Sequence, residues 1–502
     1  MITVTNESMK VVERAMNFRD RADTERLAEA VRRLLPALEE FDRFAGPDPA
    51  GRARDKWLGA LDKPLPERGI GWEGVVDELA HTVVPYGLRN GAPGFSGWVT
   101  TEPTTSGIVA ALAATVAGSQ RWWVQPFNYL ETVALRWLAQ LLGIPADLQG
   151  TFTSGGSVAN LVGIGAARQR AYEQIGCDPA RDGLPAGVRS RIYASAELHH
   201  VVLRSAGVLG LGRSSVTLIK TDDKQRIDLR TLEHVLEEDR RKGIIPLALV
   251  ASAGTVNTGA IDPIGEMVGI VKNRNIWLHV DGAYGLFGRL DSRVTSLYNG
   301  LEHADSVVVD PHKWLAAPVG IGAVFVRDRA LLGRAFTLEP ADYLEGSSVR
   351  DREILSPFDE FGELYHDFSV EQSAPSRGAQ VWAILREIGA EGIRERVTRH
   401  NDFARRLASL VEADERLELL AEPVLSICCF RYRVAQRTEQ ELEELNQEIA
   451  RRLRAESKYV PSTTRVNGKL ALRPCYINPR TTGTEVDGLA ARVRQLGDEL
   501  AQ

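Results

Sequence analysis

The chain has 502 residues, 61 of them Lys or Arg and 67 Asp or Glu, for a formal charge of −6. With 44% hydrophobic and 25% charged residues it has ordinary globular usage, which excludes a disordered, collagen-like or low-complexity chain. The slight acidic excess gives no footing for a nucleic-acid backbone, and the length calls for a large core plus at least one smaller unit.

Residues 1–20 carry charge throughout and lack the apolar centre of a signal peptide. From 23 to 44, Leu27, Val31, Leu34, Leu35, Leu38 and Phe41 recur at helical spacing behind Asp23 or Thr24 as N-cap, predicting an amphipathic helix that Pro36 can kink. A segment rich in Gly, Pro and charge, 46–71, separates this arm from the body. Residues 107–143 hold two apolar-periodic stretches that read as helices. The weakly polar run 106–118 is too short to span a bilayer, so no membrane segment is expected and cytoplasmic residence follows by default.

From Arg191 onward, short β-branched runs alternate with helical patterns. A strand at 215–220 precedes a helix at 229–242 closed by Gly243, then a strand at 245–251. After a further helix come strands at 276–280, 306–309 and 321–326. Such uninterrupted apolar runs fit strands covered on both faces, which predicts an α/β body with a mainly parallel sheet. Beyond 382, long charged helices surround strand-like 424–432 and 470–476, predicting a small α+β unit. The expected organisation is an N-terminal helical arm over 1–75, a large domain over 76–380 and a small C-terminal domain over 381–502. The four cysteines, Cys177, Cys428, Cys429 and Cys475, show no metal-ligand spacing; they read as buried thiols in a reducing compartment, and no metal is expected.

The chemistry-bearing stretch is His279-Val280-Asp281-Gly282-Ala283-Tyr284-Gly285, followed one strand later by Asp310-Pro311-His312-Lys313-Trp314. Both lie at or just past the end of a predicted buried strand, where open α/β sheets bind ligands, so Asp281 and Lys313 can face one crevice. Such a pair is either a buried ion pair or the two groups a pyridoxal phosphate (PLP) site requires: a lysine for the Schiff base and a carboxylate for the pyridinium nitrogen. Thr153-Ser154-Gly155-Gly156-Ser157 precedes an apolar helix-like run, placing backbone N–H groups at a helix N-terminus, where a phosphate is favoured. On its own that loop is also an ordinary capped helix start.

These three motifs, in this order, resemble those of the group II PLP-dependent amino-acid decarboxylases, which include the aromatic-L-amino-acid and glutamate decarboxylases. The similarity runs from about residue 87 to residue 493 and takes in Gly254-Thr255, the 195–207 stretch with His199, Ser376-Arg377 before Val381-Trp382, and Ala471-Leu472-Arg473. The resemblance implies fold type I of the PLP-dependent transferases and a homodimer whose arms wrap the partner. It implies that Lys313 holds PLP, Asp281 meets the ring nitrogen and His199 stacks on the ring. The spacing to Arg204 favours His199 over His200. Gly156, Ser157, Asp310 and His312 would form the phosphate site, Asp310 being unusual there because an anion beside phosphate needs a compensating donor. Thr255 and Ala283 would pack close to the ring.

The resemblance further implies that a loop tyrosine reprotonates the substrate carbon; Pro340-Ala341-Asp342-Tyr343-Leu344, in the long 338–360 segment, supplies Tyr343. Arg473 is expected to meet a substrate carboxylate or a structural acid. Where related chains carry His-Pro before an aromatic run, this one has Ala92-Pro93, and the following Trp98 to Glu102 is expected to reach the substrate pocket. Trp98 and Thr100 are the substrate-contact candidates; Trp98 fits an apolar side chain and Glu102 a cationic one. The expected reaction is decarboxylation of an L-amino acid to the amine. The rivals are oxidative decarboxylation-deamination to an aldehyde, carbon–carbon lyase chemistry on a specialised substrate, and a silent PLP-fold binding subunit. A dinucleotide-binding oxidoreductase is disfavoured because no GxGxxG follows the early strands.

Overall fold

A computed structural model describes residues 21–43, 54–118, 126–337 and 365–502. It falls into two compact units, 1–92 with 455–458, and 93–454 with 459–502. In the first, α1 (Arg21–Asp42) runs through Pro36, and α2 (Arg54–Leu61) and α3 (Gly71–Glu78) follow. The α1 apolar stripe is only partly covered: Val31, Leu35 and Leu38 stay exposed.

The second unit begins with the short strand β1 (Phe95–Ser96), then α4 (Thr105–Val116) and α5 (Pro126–Leu142), the two helices expected from the apolar periodicity. Next come β2 (Gln149–Thr153), α6 (Gly156–Glu173), β3 (Ser190–Ser195), α7 (Val201–Val208), β4 (Val216–Ile219), α8 (Leu229–Arg241), β5 (Ile245–Ser252), α9 (Ile264–Lys272), β6 (Trp277–Asp281), β7 (Ser306–Val309), β8 (Gly322–Val326) and α10 (Ala330–Phe336). Asp228 caps α8, accepting from the Thr231 N–H at 2.7 Å.

The large sheet has the order β2-β8-β7-β6-β5-β3-β4. Neighbours from β7 through β4 pair in parallel, and β8 alone runs against both of its neighbours. Every residue of β6, β7 and β8 is buried. That explains their unbroken apolar runs: helices cover both faces, so no position is left for an alternating polar residue. The α/β class and the mainly parallel sheet are as expected. Register matters for function: Ser252, Asp281 and Val308 align across β5, β6 and β7, so the three strands end on one rim.

The C-terminal part contributes α11 (Arg377–Glu412), broken at Gly389 where φ is +70°, β9 (Leu417–Ala421), β10 (Cys429–Tyr432), α12 (Glu439–Glu456), β11 (Val460–Val466), β12 (Lys469–Arg473) and α13 (Gly483–Ala501). Its sheet has the order β1-β11-β12-β10-β9 and its own apolar core, including Phe403, Leu407, Phe430, Ile449, Leu472 and Val493. β11 is absent from the sequence expectation. Pro461 and the hydroxyl run Ser462-Thr463-Thr464 hide its pattern, although Asn467-Gly468, both at positive φ, form the two-residue turn that joins it to β12.

Candidate active site

A cleft of about 530 Å³ opens at the carboxyl ends of β3, β5, β6 and β7, facing the start of α6. Asp281 closes β6 with its side chain at the cleft floor, 9% exposed, and its Oδ1 accepts the Ala283 N–H at 3.1 Å. Asp310 follows β7. It is 1% exposed, its Oδ2 lies 3.1 Å from the Lys313 Nζ, and its Oδ1 has no hydrogen-bond partner among the described residues. His312 donates Nδ1–H to the Ile321 carbonyl at 2.7 Å, which leaves Nε2 toward Asp310 at 3.9 Å.

The turn carrying Lys313 rests on a rigid stack. Trp314 is buried parallel to Tyr284, with ring centroids 5.3 Å apart, and donates Nε1–H to His400 Nδ1 at 2.9 Å. The Tyr284 hydroxyl in turn pairs with the Ser426 Oγ at 2.7 Å. Lysine therefore projects from a base with little freedom to shift.

Opposite, Gly155 sits at φ +111° and α6 starts at Gly156. A β-carbon at Gly156 would lie 2.5 Å from the Asp310 Oδ2, and one at Gly322 2.7 Å from its Oδ1, so only glycines let the loop, the strand and the carboxylate meet. Glu371 braces the same loop: its Oε2 accepts from the Ser154 N–H at 3.2 Å, and both its oxygens accept from Arg377. That gives Ser376-Arg377 a structural task.

His199 lines the cleft, while His200 is exposed and does not. The Val201 N–H donates to the His199 Nδ1 at 3.3 Å, so the neutral ring carries its hydrogen on Nε2. Burial pushes the His199 pKa below the ordinary value, opposed by Asp281 and helped by Lys313. Thr255, 2% exposed, is held in a tight turn in which its N–H donates to the Ala260 carbonyl at 2.8 Å.

Arg473, 3% exposed, also lines the cleft. It donates to three backbone carbonyls, those of Trp98 at 2.7 Å, Asn257 at 3.4 Å and Val256. These partners belong to neither alternative expected for it. They clamp two walls together, including Trp98 in its left-handed conformation at φ +50°. Trp98 and Val99 line the cleft; Thr100 is half-buried and is not among the lining residues. Glu102 pairs with Arg480.

The expected residues Gly156, Ser157, His199, Thr255, Asp281, Ala283, Asp310, His312, Lys313, Trp98 and Arg473 thus all line this cleft. Tyr343 and the 338–360 segment lie outside the described residues, apart from which the lining adds several groups that sequence reasoning missed. Asn160, Asn257 and Ser462 to Thr464 are among them. The Asn467-Gly468 turn was the available signal for the last three. The donor set fits PLP: an amine, a buried carboxylate on the floor and a glycine-walled helix start, all facing one space.

Residues 56–433 match the pyridoxal-dependent decarboxylase conserved domain. The chain belongs to this family, and the expected coenzyme, PLP, and the carboxy-lyase class follow. It is 29% identical over 373 residues to an aromatic-L-amino-acid decarboxylase of Bacillus atrophaeus, covering 74% of each chain. It is also 29% identical over 446 residues to an L-2,4-diaminobutyrate decarboxylase of Rhizobium meliloti (strain 1021), covering 87% of this chain and 84% of that one. Its fold superposes on Oryza sativa TDC with PLP and tryptamine at a TM-score of 0.88 and 22% identity, over 96% of this chain and 100% of that one.

Proposed function

We propose that the residues of this cleft decarboxylate an L-amino acid to the corresponding amine, with Lys313 as the residue that carries the coenzyme. The observation that carries the reading is the convergence of the Lys313 amine, the Asp281 carboxylate and the α6 start on one cleft. Bound coenzyme supplies the electron sink for the Cα–carboxyl bond that breaks.

The chain's own groups do the rest. Lys313 would hold the coenzyme through its amine and would be the group the substrate amine displaces. Asp281, buried and backed by one backbone N–H, would keep a proton on the ring nitrogen. His199, whose pKa burial lowers, would cover one ring face, and Thr255 and Ala283 would fill the space around it. The N–H groups at Gly156 and Ser157, with His312, would receive the phosphate, and Asp310 would lie beside it with the Lys313 ammonium as its compensating donor. Tyr343 or His199 would be the donor of the proton to the substrate Cα.

For the substrate side chain, Trp98 and Val99 offer apolar surface and Ser462 to Thr464 hydroxyls, with Thr100 further along the Trp98 segment. Glu102, the group suited to a cationic substrate, is engaged by Arg480, which favours an apolar or aromatic side chain. Arg473 presents the positive charge on the substrate-facing wall.

A homodimer is part of the same reading. On α4, Ile108, Val109, Leu112 and Val116 are all exposed, a contiguous apolar face of the sort a second subunit covers. Location in the cytoplasm accords with four free cysteines, three of them buried.

The test is mass-spectrometric product analysis after incubating the PLP-loaded protein in air with pooled aromatic, acidic and basic amino acids. An amine lighter than one substrate by CO2 supports the proposal and names the side-chain class. An aldehyde as the main product would overturn it in favour of oxidative decarboxylation-deamination.

A further inference from the structure

Beneath the cleft floor the sheet buries a line of polar side chains that none of the chemistry above uses. His279, two residues before Asp281 on β6, is 0% exposed. Its Nδ1 lies 2.7 Å from the Ser306 Oγ on β7, and its Nε2 2.9 Å from the Asn160 Oδ1 on α6. The Trp277 Nε1–H donates to the same Ser306 Oγ at 2.7 Å, and the Asn160 Nδ2 donates to the Gly156 carbonyl at 2.9 Å.

Counting donors leaves one arrangement. The Asn160 amide spends its N–H on Gly156, so its Oδ1 accepts and the His279 Nε2 must carry the hydrogen. The His279 Nδ1 is then bare and accepts from the Ser306 hydroxyl, whose oxygen accepts from Trp277. The bonds run in one direction, from Trp277 at the start of β6 to the carbonyl of Gly156, the residue that opens α6. The helix leaves room for the ring: a β-carbon at Gly163 would fall 2.6 Å from the His279 Cε1.

We infer that His279 is a positioning residue that, as a neutral Nε2–H donor, ties the first turn of α6 to β6 and so sets the distance between the phosphate-receiving end of the cleft and Asp281. The neutral form is essential to the role. A cation at 279 would lie on the same strand face as Asp281, two residues away, and would compete for its carboxylate. Burial prevents this by holding the His279 pKa down to about 4, with Asp281 the opposing influence. Histidine here supplies hydrogen bonds at both ring nitrogens without charge.

The inference rests on the reading of the cleft as a PLP site, and its test separates the two. Dissociation constants for PLP and for pyridoxal, which lacks the phosphate, are measured by absorbance and fluorescence titration of the apoprotein. His279→Leu is expected to weaken PLP by about tenfold or more while changing pyridoxal by less than about threefold. His279→Gln, whose amide offers a donor to Asn160 and an acceptor to Ser306, is expected to recover most of the PLP affinity. Asn160→Leu, close in size but able neither to accept from His279 nor to donate to Gly156, and adding no charge to the cleft, should reproduce the His279→Leu split, and carries the test if His279→Leu fails to fold. Equal losses for both compounds, or a Gln variant as weak as Leu at unchanged thermal midpoint, would overturn the positioning role. A wild-type protein that bound neither compound would overturn the PLP-site reading instead.

Discussion

The Lys313 Nζ stands 3.1 Å from the Asp310 Oδ2, and the other oxygen of that buried carboxylate has no hydrogen-bond partner among the described residues. Lys313 is therefore the cation that keeps Asp310 tolerable in the interior, in addition to any chemistry its amine performs. Lys313→Ala is expected to abolish turnover and to lower apoprotein stability by about 1–3 kcal/mol, because it strands a buried charge. Adding Asp310→Asn should restore the thermal midpoint without restoring turnover. A double variant no more stable than the single one would mean the pair contributes nothing to the fold.

Asp281→Ala removes the floor carboxylate and leaves the Lys313 amine in place. The protein should still take up PLP, seen by absorbance, but with turnover reduced at least about 100-fold, since a ring nitrogen without its anion loses its proton. Turnover within about threefold of the original would remove Asp281 from the proposed mechanism.

Arg473 braces two walls through three carbonyls, a task that the fixed guanidinium fork performs and a lysine cannot. Arg473→Lys keeps the charge, so substrate attraction alone would survive it. The expected result is a lower thermal midpoint and a raised KM with a smaller change in kcat. An unchanged midpoint with unchanged KM would assign Arg473 no part in shaping the cleft.

Three of the described histidines make stability depend on pH in a stated direction. His199, His279 and His400 all have folded-state pKa values below the ordinary 6.5, so the unfolded chain binds their protons more readily. Their contribution is complete above pH 6.5 and is lost as pH falls. For His279 the loss runs from about 6.5 down to about 4 and amounts to about 3 kcal/mol. His279→Gln should flatten the midpoint-against-pH curve over that interval, and an equally steep curve would show that other groups govern acid unfolding.

Tyr343 is proposed as the donor to Cα. Replacing it by Phe should shift the product ratio from amine toward aldehyde, measured by mass spectrometry in air. A ratio identical to that of the original protein would leave His199 as the sole candidate.

Much of the site was legible because its chemistry is local to chain segments. A carboxylate at the end of one buried apolar run, a lysine just past the next and a glycine pair opening a helix mark strand ends and a helix start, and strand ends in a mainly parallel sheet share a rim. The fold class was legible for the related reason that strands covered on both faces must be apolar at every position, as β6, β7 and β8 are. The hydroxyl wall of β11 was not, since its polar, proline-interrupted run resembles a loop until β12 pairs with it.

Residue types at strand and helix ends, which depend on neighbours within a few positions, were thus determined by the sequence alone: Lys313, Asp281, Gly156 and the family they mark. The tertiary structure decided which groups meet across long chain separations. It gave Arg473 the carbonyls of Trp98, Val256 and Asn257 in place of an acid, Glu102 the cation of Arg480, and His279 a seat between Asn160 and Ser306. Hydrogen bonds act over about 3 Å, and only sheet register and helix packing bring partners so far apart in the chain within that distance.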